Sequence, residues 1–187
     1  MDWGRIAKRI RVPLGFLFAA FFLVLARPHG WSLAAGSAVA LAGVWIRAIS
    51  SGHVRKNEEL ATSGPYAYTR NPLYLGSIVI ALGLALAALR WEIAVGLLFL
   101  FAVVYVPVIR GEEQFLSEHF SNYGEYCSRV PRLLPRLRAG DEGRSRFSPA
   151  LYWQHREYNA LIGTLALIAA LAGKICAGHT CAGWTGR

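Results

Sequence analysis

Charged side chains are scarce in this sequence. Asp, Glu, Lys and Arg account for 17% of its 187 residues, whereas 55% of the residues are hydrophobic, and the mean hydropathy is +0.35. An ordinary soluble domain carries about 25% charged residues. The shortage therefore excludes that class and indicates an integral membrane protein that crosses the bilayer several times.

Acidic residues are scarcer than basic ones, with 11 Asp and Glu against 20 Lys and Arg and a net charge of +9. Such an excess suggests a nucleic-acid partner, but its distribution argues against one. Sixteen of the twenty cations lie in three stretches, 5–11, 47–70 and 110–156, so alternate loops carry the charge, as the positive-inside rule requires. We therefore predict membrane lipids rather than nucleic acid as partners. The same rule predicts a cytoplasmic N-terminus and a C-terminus on the opposite side.

Long apolar runs supply the predicted spans. Because a helix needs about 20 mostly apolar residues to cross a bilayer core of about 30 Å, the pattern predicts an all-α, multi-pass transmembrane helix bundle of about five spans. It is predicted to form one domain over residues 1–187. The first run could instead be a signal peptide, but no convincing cleavage site follows it, and an uncleaved helix is favoured. The predicted spans are 12–26, 31–49, 72–89, 93–109 and 158–173.

Two further absences narrow the function. No glycine-rich dinucleotide fingerprint of the soluble type follows a strand, which argues against a Rossmann-type site. Cysteine occurs only three times. Cys176 and Cys181, with His179 between them, could form a disulfide or half of a metal site. An unremarkable tail is the favoured interpretation, and no metal site is predicted.

The polar stretch 62–76 is the most informative feature of the chain. It contains two prolines, two glycines, three tyrosines and the Arg70-Asn71 pair, and it leads directly into an apolar span. Irregular backbone at membrane depth is tolerated only where protein packs around it or where it lines a cavity. The stretch therefore predicts a built pocket at the mouth of a helix.

A second polar segment follows the fourth predicted span. Residues 110–129 have helical periodicity, and Glu112 heads an apolar stripe that continues through Leu116 and Tyr123. We therefore expect Glu112 to point inward and Glu113 to face water. Together the two polar segments offer a carboxylate, arginines and tyrosine rings, which is a set suited to a zwitterionic ligand.

Six motifs stand in order along these two segments. They are Gly64-Pro65-Tyr66, Arg70-Asn71-Pro72-Leu73-Tyr74-Leu75-Gly76, Glu112-Glu113-Gln114-Phe115-Leu116, Phe120, Tyr123-Gly124-Glu125-Tyr126 and Val130-Pro131-Arg132-Leu133-Leu134-Pro135. In order, spacing and the helical hairpin between them, they resemble the isoprenylcysteine carboxyl methyltransferase and phospholipid methyltransferase superfamily of integral-membrane enzymes. The resemblance covers about residues 50–136. Asn71 departs from it, because many members have His there, and Asn cannot act as a base at neutral pH.

The resemblance implies S-adenosylmethionine as cofactor and a lipophilic or small methyl acceptor, which would be an isoprenylcysteine-type carboxylate, a phospholipid amine or a thiol. It implies a cytoplasmic cofactor pocket between the loop before span 3 and the amphipathic helix after span 4. The catalytic residues predicted from it are Arg70, Arg110 and Glu113. The predicted cofactor-binding residues are Glu58, Leu60, Tyr66, Asn71, Pro72, Leu73, Tyr74 and Glu112.

Two other function classes stay open at this point. Sterol-reductase-type enzymes resemble the same C-terminal architecture and bind NADPH. The 2′-phosphate of NADPH could be bound by Arg132, Arg136 and Arg138. The shortness of the chain argues against that class. A non-catalytic membrane protein could instead use the pocket to sense a ligand.

Overall fold

The computed structural model describes residues 3–55, 59–138 and 146–184, with side chains described between residues 13 and 177. Within these ranges every regular element is helical, as predicted. Gly64–Ala67 forms a single 3₁₀ turn, and Phe101–Tyr105 forms a π-helical turn. The α-helices are α1 Trp3–Leu25, α2 Gly30–Ser51, α3 Pro72–Ala88, α4 Trp91–Leu100, α5 Val106–His119, α6 Tyr123–Arg129, α7 Pro149–Gln154 and α8 Tyr158–Trp184.

Three of the described helical segments are long and apolar enough to cross a membrane. They are Gly30–Ser51, Trp91–His119 and Tyr158–Ala177. Pro13–Leu25 and Pro72–Ala88 are apolar but shorter. At a rise of about 1.5 Å per residue, the 17 residues of α3 reach about 25 Å, less than the bilayer core of about 30 Å. The structure therefore supports a membrane protein, and the number of five spans stays a prediction.

Helices α2 and α3 pack backbone against backbone through small residues. A Cβ added at Gly43 would lie 2.6 Å from the Ile80 nitrogen and 2.7 Å from the Gly76 carbonyl oxygen, so no larger residue fits without a shift. Such close approach is typical of helix pairs in lipid. One turn further along α2, Arg47 donates from Nη1 to the Leu73 carbonyl at 3.2 Å. The packing therefore brings a charged side chain to the beginning of α3.

At the opposite end of the bundle, a lysine ties α8 to α1. Lys174 Nζ donates to the carbonyl oxygens of Leu23 at 2.7 Å and Ala26 at 2.8 Å. The last carbonyls of a helix have no partner within it, and a cation there also interacts favourably with the helix dipole. This contact holds together the two helices that form the apolar wall described below.

The single helix predicted over residues 110–129 is wrong, because the chain breaks into α5 and α6. Phe120 has extended backbone angles, φ −124° and ψ 111°, and the Tyr123 nitrogen donates to its carbonyl at 3.0 Å. The intervening Ser121 and Asn122 are residue types whose side chains favour turns over helix interiors. The break lets α6 turn inward, where Tyr123 and residues beyond it pack on Leu116 in a small apolar cluster.

Candidate functional site

A cavity of about 1120 Å³, here called the central cavity, lies among the helices. Small-molecule sites typically measure about 300–1,000 Å³, so this volume has room for a cofactor and a second ligand. Nine of the eleven predicted site residues line it. They are Leu60, Tyr66, Arg70, Asn71, Pro72, Leu73, Tyr74, Glu112 and Glu113.

Of the two remaining predicted residues, one lies outside the cavity wall and the other belongs to a segment that the structure does not describe. Arg110 is exposed on α5 and is not among the residues that line the central cavity, so the structure does not bring it to the others. Glu58 lies outside the described residues. Their functional roles, like those of the nine residues in the wall, stay predictions.

The loop before α3 is held in place by the segment that follows α6. The Arg70 nitrogen donates to the Pro131 carbonyl at 2.9 Å, and the Arg136 nitrogen donates to the Tyr68 carbonyl at 3.0 Å. Thr69 Oγ1 adds a bond to the Leu133 carbonyl at 3.0 Å. These contacts satisfy backbone groups that have no helix to pair them. They also explain why the Val130–Pro135 motif accompanies the loop motif in the sequence.

Glu113 is the buried centre of a polar group that we call the Glu113 cluster: Glu113, Arg132, Arg70 and Asn71. Arg132 approaches both carboxylate oxygens, with Nη2 at 2.8 Å from Oε2 and Nε at 3.2 Å from Oε1. Asn71 Nδ2 donates to Oε1 at 3.2 Å, and Arg70 Nη1 lies 3.6 Å from the same oxygen. A carboxylate so thoroughly paired holds α5 to the loop and to the segment after α6.

The predicted facing of the two neighbouring glutamates is wrong. Glu113 is only 8% exposed, whereas Glu112 is exposed and reaches the edge of the central cavity. The buried face of α5 includes Ile109 and Glu113, four residues apart, and Leu116 packs on the same side. The predicted stripe began at Glu112 because it ran on to Tyr123, which belongs to another helix. Within the described residues Glu112 makes no ion pair.

Arg70 keeps its charge although it is largely buried. Burial by itself lowers the pKa of its guanidinium, but the charges of Glu113, Cys127 and Tyr123 raise it further than burial lowers it, and the net shift is upward. Nη1 bonds the Cys127 sulfur at 2.7 Å. Nε is buried and has no hydrogen-bond partner among the described residues. Arg70 therefore places a positive charge beside the cavity, with an Nε–H donor that no described residue uses.

Tyrosine rings form much of the polar end of the cavity. Tyr66 is 8% exposed, and its carbonyl accepts the Tyr126 hydroxyl at 2.8 Å. Burial raises the pKa of Tyr66, and the charges of Tyr126, Glu112 and Glu157 raise it further, so the phenol stays neutral. Tyr74 packs edge-on against Tyr105, with ring centroids 5.9 Å apart. Aromatic faces of this kind attract cations.

Several residues of the cavity wall were missed in the sequence. Arg47 and Glu157 form a bidentate ion pair, with Nε at 3.0 Å from Oε2 and Nη2 at 2.9 Å from Oε1, and both side chains line the central cavity. A charged residue near the end of an apolar span is a functional signal in itself, and it could have identified Arg47. Nothing local in the sequence indicates that Glu157, 110 positions away, is its partner.

The arginines expected to meet a nucleotide phosphate are mostly engaged elsewhere. Arg132 pairs with Glu113, and Arg136 donates to the carbonyls of Ala67 at 2.7 Å and Arg129 at 3.0 Å. Arg138 is exposed, and none of the three arginines lines the central cavity. This arrangement disfavours the NADPH-binding alternative.

Two curated relatives match half of the chain. The cobalt-zinc-cadmium resistance protein CzcN of Cupriavidus metallidurans is 39% identical over 94 residues, which are 50% of this chain and 43% of that protein. The nickel-cobalt-cadmium resistance protein NccN of Alcaligenes xylosoxydans xylosoxydans is 38% identical over 94 residues, with the same shares. The matched stretch thus spans less than half of either relative. No solved structure matches the chain significantly.

A protein-family comparison agrees with the motifs. The phospholipid methyltransferase family matches residues 31–123. That range runs from α2 through the loop and the α3–α4 hairpin to the beginning of α6, so it contains Glu112, Glu113 and four of the five tyrosines of the cavity wall. Residues 31–123 are therefore a phospholipid methyltransferase domain, which is part of the isoprenylcysteine and phospholipid methyltransferase superfamily.

Proposed function

We propose that this protein is an integral-membrane methyltransferase that uses S-adenosylmethionine as methyl donor and methylates a lipophilic or small acceptor. One observation carries the proposal. The polar end of the central cavity combines tyrosine faces with Glu112, a carboxylate that has no ion pair within the described residues. The donor is a zwitterion with an additional sulfonium charge, and this set of groups complements it.

The residues of the cavity wall suit the separate parts of the donor. Glu112 would bind its ammonium group by a charge-assisted hydrogen bond, and Tyr66 and Tyr74 would face its sulfonium or adenine. Pro72 begins α3, and the first N–H groups of a helix have no intrahelical partner. That helix end, with Asn71 preceding it, would attract the donor's carboxylate. Leu60 and Leu73 supply apolar contacts to the same volume.

When bound, the donor supplies an electrophilic methyl group that already carries its leaving group. The protein's contribution is then to position the acceptor, to exclude water and to arrange charge. Arg70 and the Glu113 cluster would keep the loop in one shape, and the tyrosines would shield the reacting centre. We propose that the site faces the cytoplasm, as the distribution of basic residues predicts.

The apolar end of the cavity suits a lipophilic acceptor. Gly15, Phe16 and Ala19 of α1 line it together with Gly163, Ala166 and Leu167 of α8. Small residues leave space beside the helix backbones, and these two helices would border lipid in a bundle. We infer that an acyl or prenyl chain enters here from the bilayer.

The names of the two relatives raise metal resistance as a role. Those names describe the relatives, and within the described residues no group of three His, Cys, Asp or Glu side chains lies close enough to hold a metal ion. His179 and Cys181, which the sequence offered with Cys176 as half of a metal site, lie outside the residues whose side chains are described. A methyltransferase whose product protects the cell from metals is consistent with both the names and the family.

Binding of radiolabelled S-adenosylmethionine to the purified protein in nanodiscs tests the proposal. We expect saturable binding that unlabelled S-adenosylhomocysteine competes for and NADPH does not. Competition by NADPH alone would favour the reductase class. Absence of any binding, in protein whose fold is intact by circular dichroism, would exclude the proposed activity.

A further inference from the structure

The turn between α7 and α8 directs two side chains into the central cavity. His155 ends α7, its nitrogen donating to the Leu151 carbonyl at 2.9 Å. Arg156 follows with a φ of +54°, a left-handed conformation that costs a non-glycine residue about 1–3 kcal/mol. Glu157 is then held by Arg47. Both His155 and Glu157 line the cavity. A strained turn pinned by an ion pair maintains one defined orientation of both side chains.

His155 has a ring nitrogen that no described residue satisfies. Within the described part of the chain Nδ1 is buried and makes no hydrogen bond, and an unsatisfied buried polar atom is unfavourable. Glu157 does not compensate it, because both of its carboxylate oxygens bond Arg47. Within the described part of the chain, His155 is the one imidazole that lines the central cavity. This imidazole therefore borders the cavity and has hydrogen-bonding capacity that no described residue uses.

Several other groups in the cavity are poorly suited to accept a proton, and Glu112 is assigned above to the ammonium group of the donor. Asn71 is an amide and has no basic nitrogen. Glu113 is engaged by Arg132, Arg70 and Asn71. Tyr66, whose pKa is raised by burial, stays protonated. A carboxylate acceptor requires no base for methylation, whereas an ammonium or a thiol must first lose a proton.

Two observations connect His155 with the remainder of the site. The charges of both Glu112 and Glu157 act on Tyr66, so this ring lies within electrostatic reach of the proposed donor site and of the turn. Gly163, Ala166 and Leu167 of α8 line the apolar end of the same cavity and follow His155 by two to three helical turns. A chain-bearing acceptor lying along α8 could therefore direct its polar end towards the imidazole.

We propose that His155 binds the methyl acceptor and takes its proton, and that the acceptor is consequently a lipophilic amine or thiol rather than a carboxylate. This inference rests on the proposed methyltransferase function. For an alkylammonium, one N–H proton passes to the imidazole and the nitrogen lone pair becomes free. The lone pair forms the bond to the methyl carbon, the carbon–sulfur bond breaks, and its electron pair stays on the departing thioether. The imidazolium then releases the proton to water.

Nitrogen-15 NMR of the histidine rings tests acceptor binding without requiring turnover. The chain has five histidines, and His155→Gln assigns the relevant signals by their disappearance. In nanodiscs we expect decylamine and decanethiol to shift the His155 signals saturably. We expect decanoate to leave them unchanged. The control is His119, exposed on α5 and outside the cavity wall, whose signals should not move with any probe. His155 signals that ignore both the amine and the thiol would contradict the proposal.

Methyl transfer provides the second readout. Protein and labelled S-adenosylmethionine are incubated with phosphatidylethanolamine vesicles, with decanethiol, and with a prenylated cysteine bearing a free carboxylate. We expect His155→Gln to lower transfer to the amine or thiol by at least about 100-fold and to leave donor affinity unchanged, whereas His119→Gln should behave as wild type. Wild-type turnover in His155→Gln, or methylation of the carboxylate probe alone, would overturn the inference.

The outcomes distinguish this inference from the function on which it rests. If wild-type protein binds no donor, the methyltransferase proposal fails, although a saturable shift of His155 would still identify an amine or thiol site. If donor binding is normal in both proteins and the loss of His155 has no effect on transfer, the function stands and the role of His155 is wrong.

Discussion

Glu112 and Glu113 are neighbours in the sequence, yet they lie in two regions of the cavity that are built differently. In the Glu113 cluster the carboxylate has three partners and is 8% exposed. On the adjacent face of α5, Glu112 is exposed, borders the cavity beside tyrosine rings and makes no ion pair within the described residues. A charge that is fully paired holds the fold, whereas a charge that is left unpaired at a cavity can bind a ligand.

The same difference recurs around the cavity. The Arg47–Glu157 pair satisfies both of its members and fixes the residue before α8 to α2, while the neighbouring His155 keeps an Nδ1 that no described residue pairs. Leaving a buried polar group unsatisfied costs more than an average hydrogen bond contributes. A buried polar group without a partner therefore indicates a place where a ligand binds, whereas a paired group does not. The predictions below test this distinction between paired groups that hold the fold, here called holding groups, and unpaired groups that bind a ligand, here called binding groups.

The largest expected effect follows from breaking the Glu113 cluster. Arg132→Met removes the bidentate partner of a buried carboxylate, and we expect a loss of about 1.5–3 kcal/mol of stability. This value is below that of a fully buried pair, because the Arg132 side chain is 53% exposed. Thermal unfolding in detergent measures it. Arg138→Met, an exposed arginine six residues later, is the control and should be neutral. Equal stability of the two variants would contradict a holding role for the cluster.

A smaller effect, confined to binding, is expected at Tyr74. Its ring lines the cavity and packs edge-on against Tyr105. Tyr74→Ala should weaken S-adenosylmethionine binding by roughly tenfold, as expected for a desolvated cation–π contact of up to about 2 kcal/mol, and should abolish transfer through misplacement of the donor. Stability should change little. Tyr68→Ala, in the same loop but outside the cavity wall, is the matched control, and identical affinities in both variants would remove Tyr74 from the site.

The smallest effect concerns Tyr66 and appears only in alkali. Because its pKa is raised above the ordinary value of 10.0, the folded state holds this proton more tightly than the unfolded state. The contribution to stability is therefore complete below about pH 10 and is lost as the pH rises through the folded-state pKa. At about one pH unit above the ordinary tyrosine pKa, Tyr66 should still be protonated in the folded protein. Wild type and Tyr66→Phe should therefore show the same tyrosinate absorbance at that pH. Lower absorbance in the variant would show that the ring titrates normally.

The sequence alone predicted the helices well and their lengths less well. Apolar runs and the proline at residue 72 correctly indicated that the regular elements of the described residues are helical and where α3 begins. One of the runs forms a helix shorter than a bilayer core, the 17 residues of α3, because helix length depends on where turns begin as well as on hydropathy. The break between α5 and α6 at Phe120 was likewise not predictable from hydropathy, since it is stabilised by the packing of α6 on Leu116.

Residues of the cavity wall could be predicted where they belong to a sequence motif. They could not be predicted where their position depends on an ion-pair partner that is distant in the sequence. Residues of the loop before α3 line the cavity as the resemblance implied. The partner of Glu113 lies 19 positions away and that of Arg47 lies 110 positions away. Helical periodicity contains no information about either pairing. For this reason the facing of Glu112 and Glu113 was predicted the wrong way round.

The most direct test of the account measures donor affinity and stability together in Glu112→Gln and Glu113→Gln. Glu112→Gln should weaken S-adenosylmethionine binding by about 1.5–3 kcal/mol, the contribution of a charge-assisted hydrogen bond, or roughly tenfold to 100-fold. Its unfolding temperature should not change. Glu113→Gln should lower the unfolding temperature. The opposite pattern, with affinity lost and stability kept in Glu113→Gln and wild-type binding in Glu112→Gln, would contradict the division between holding and binding groups.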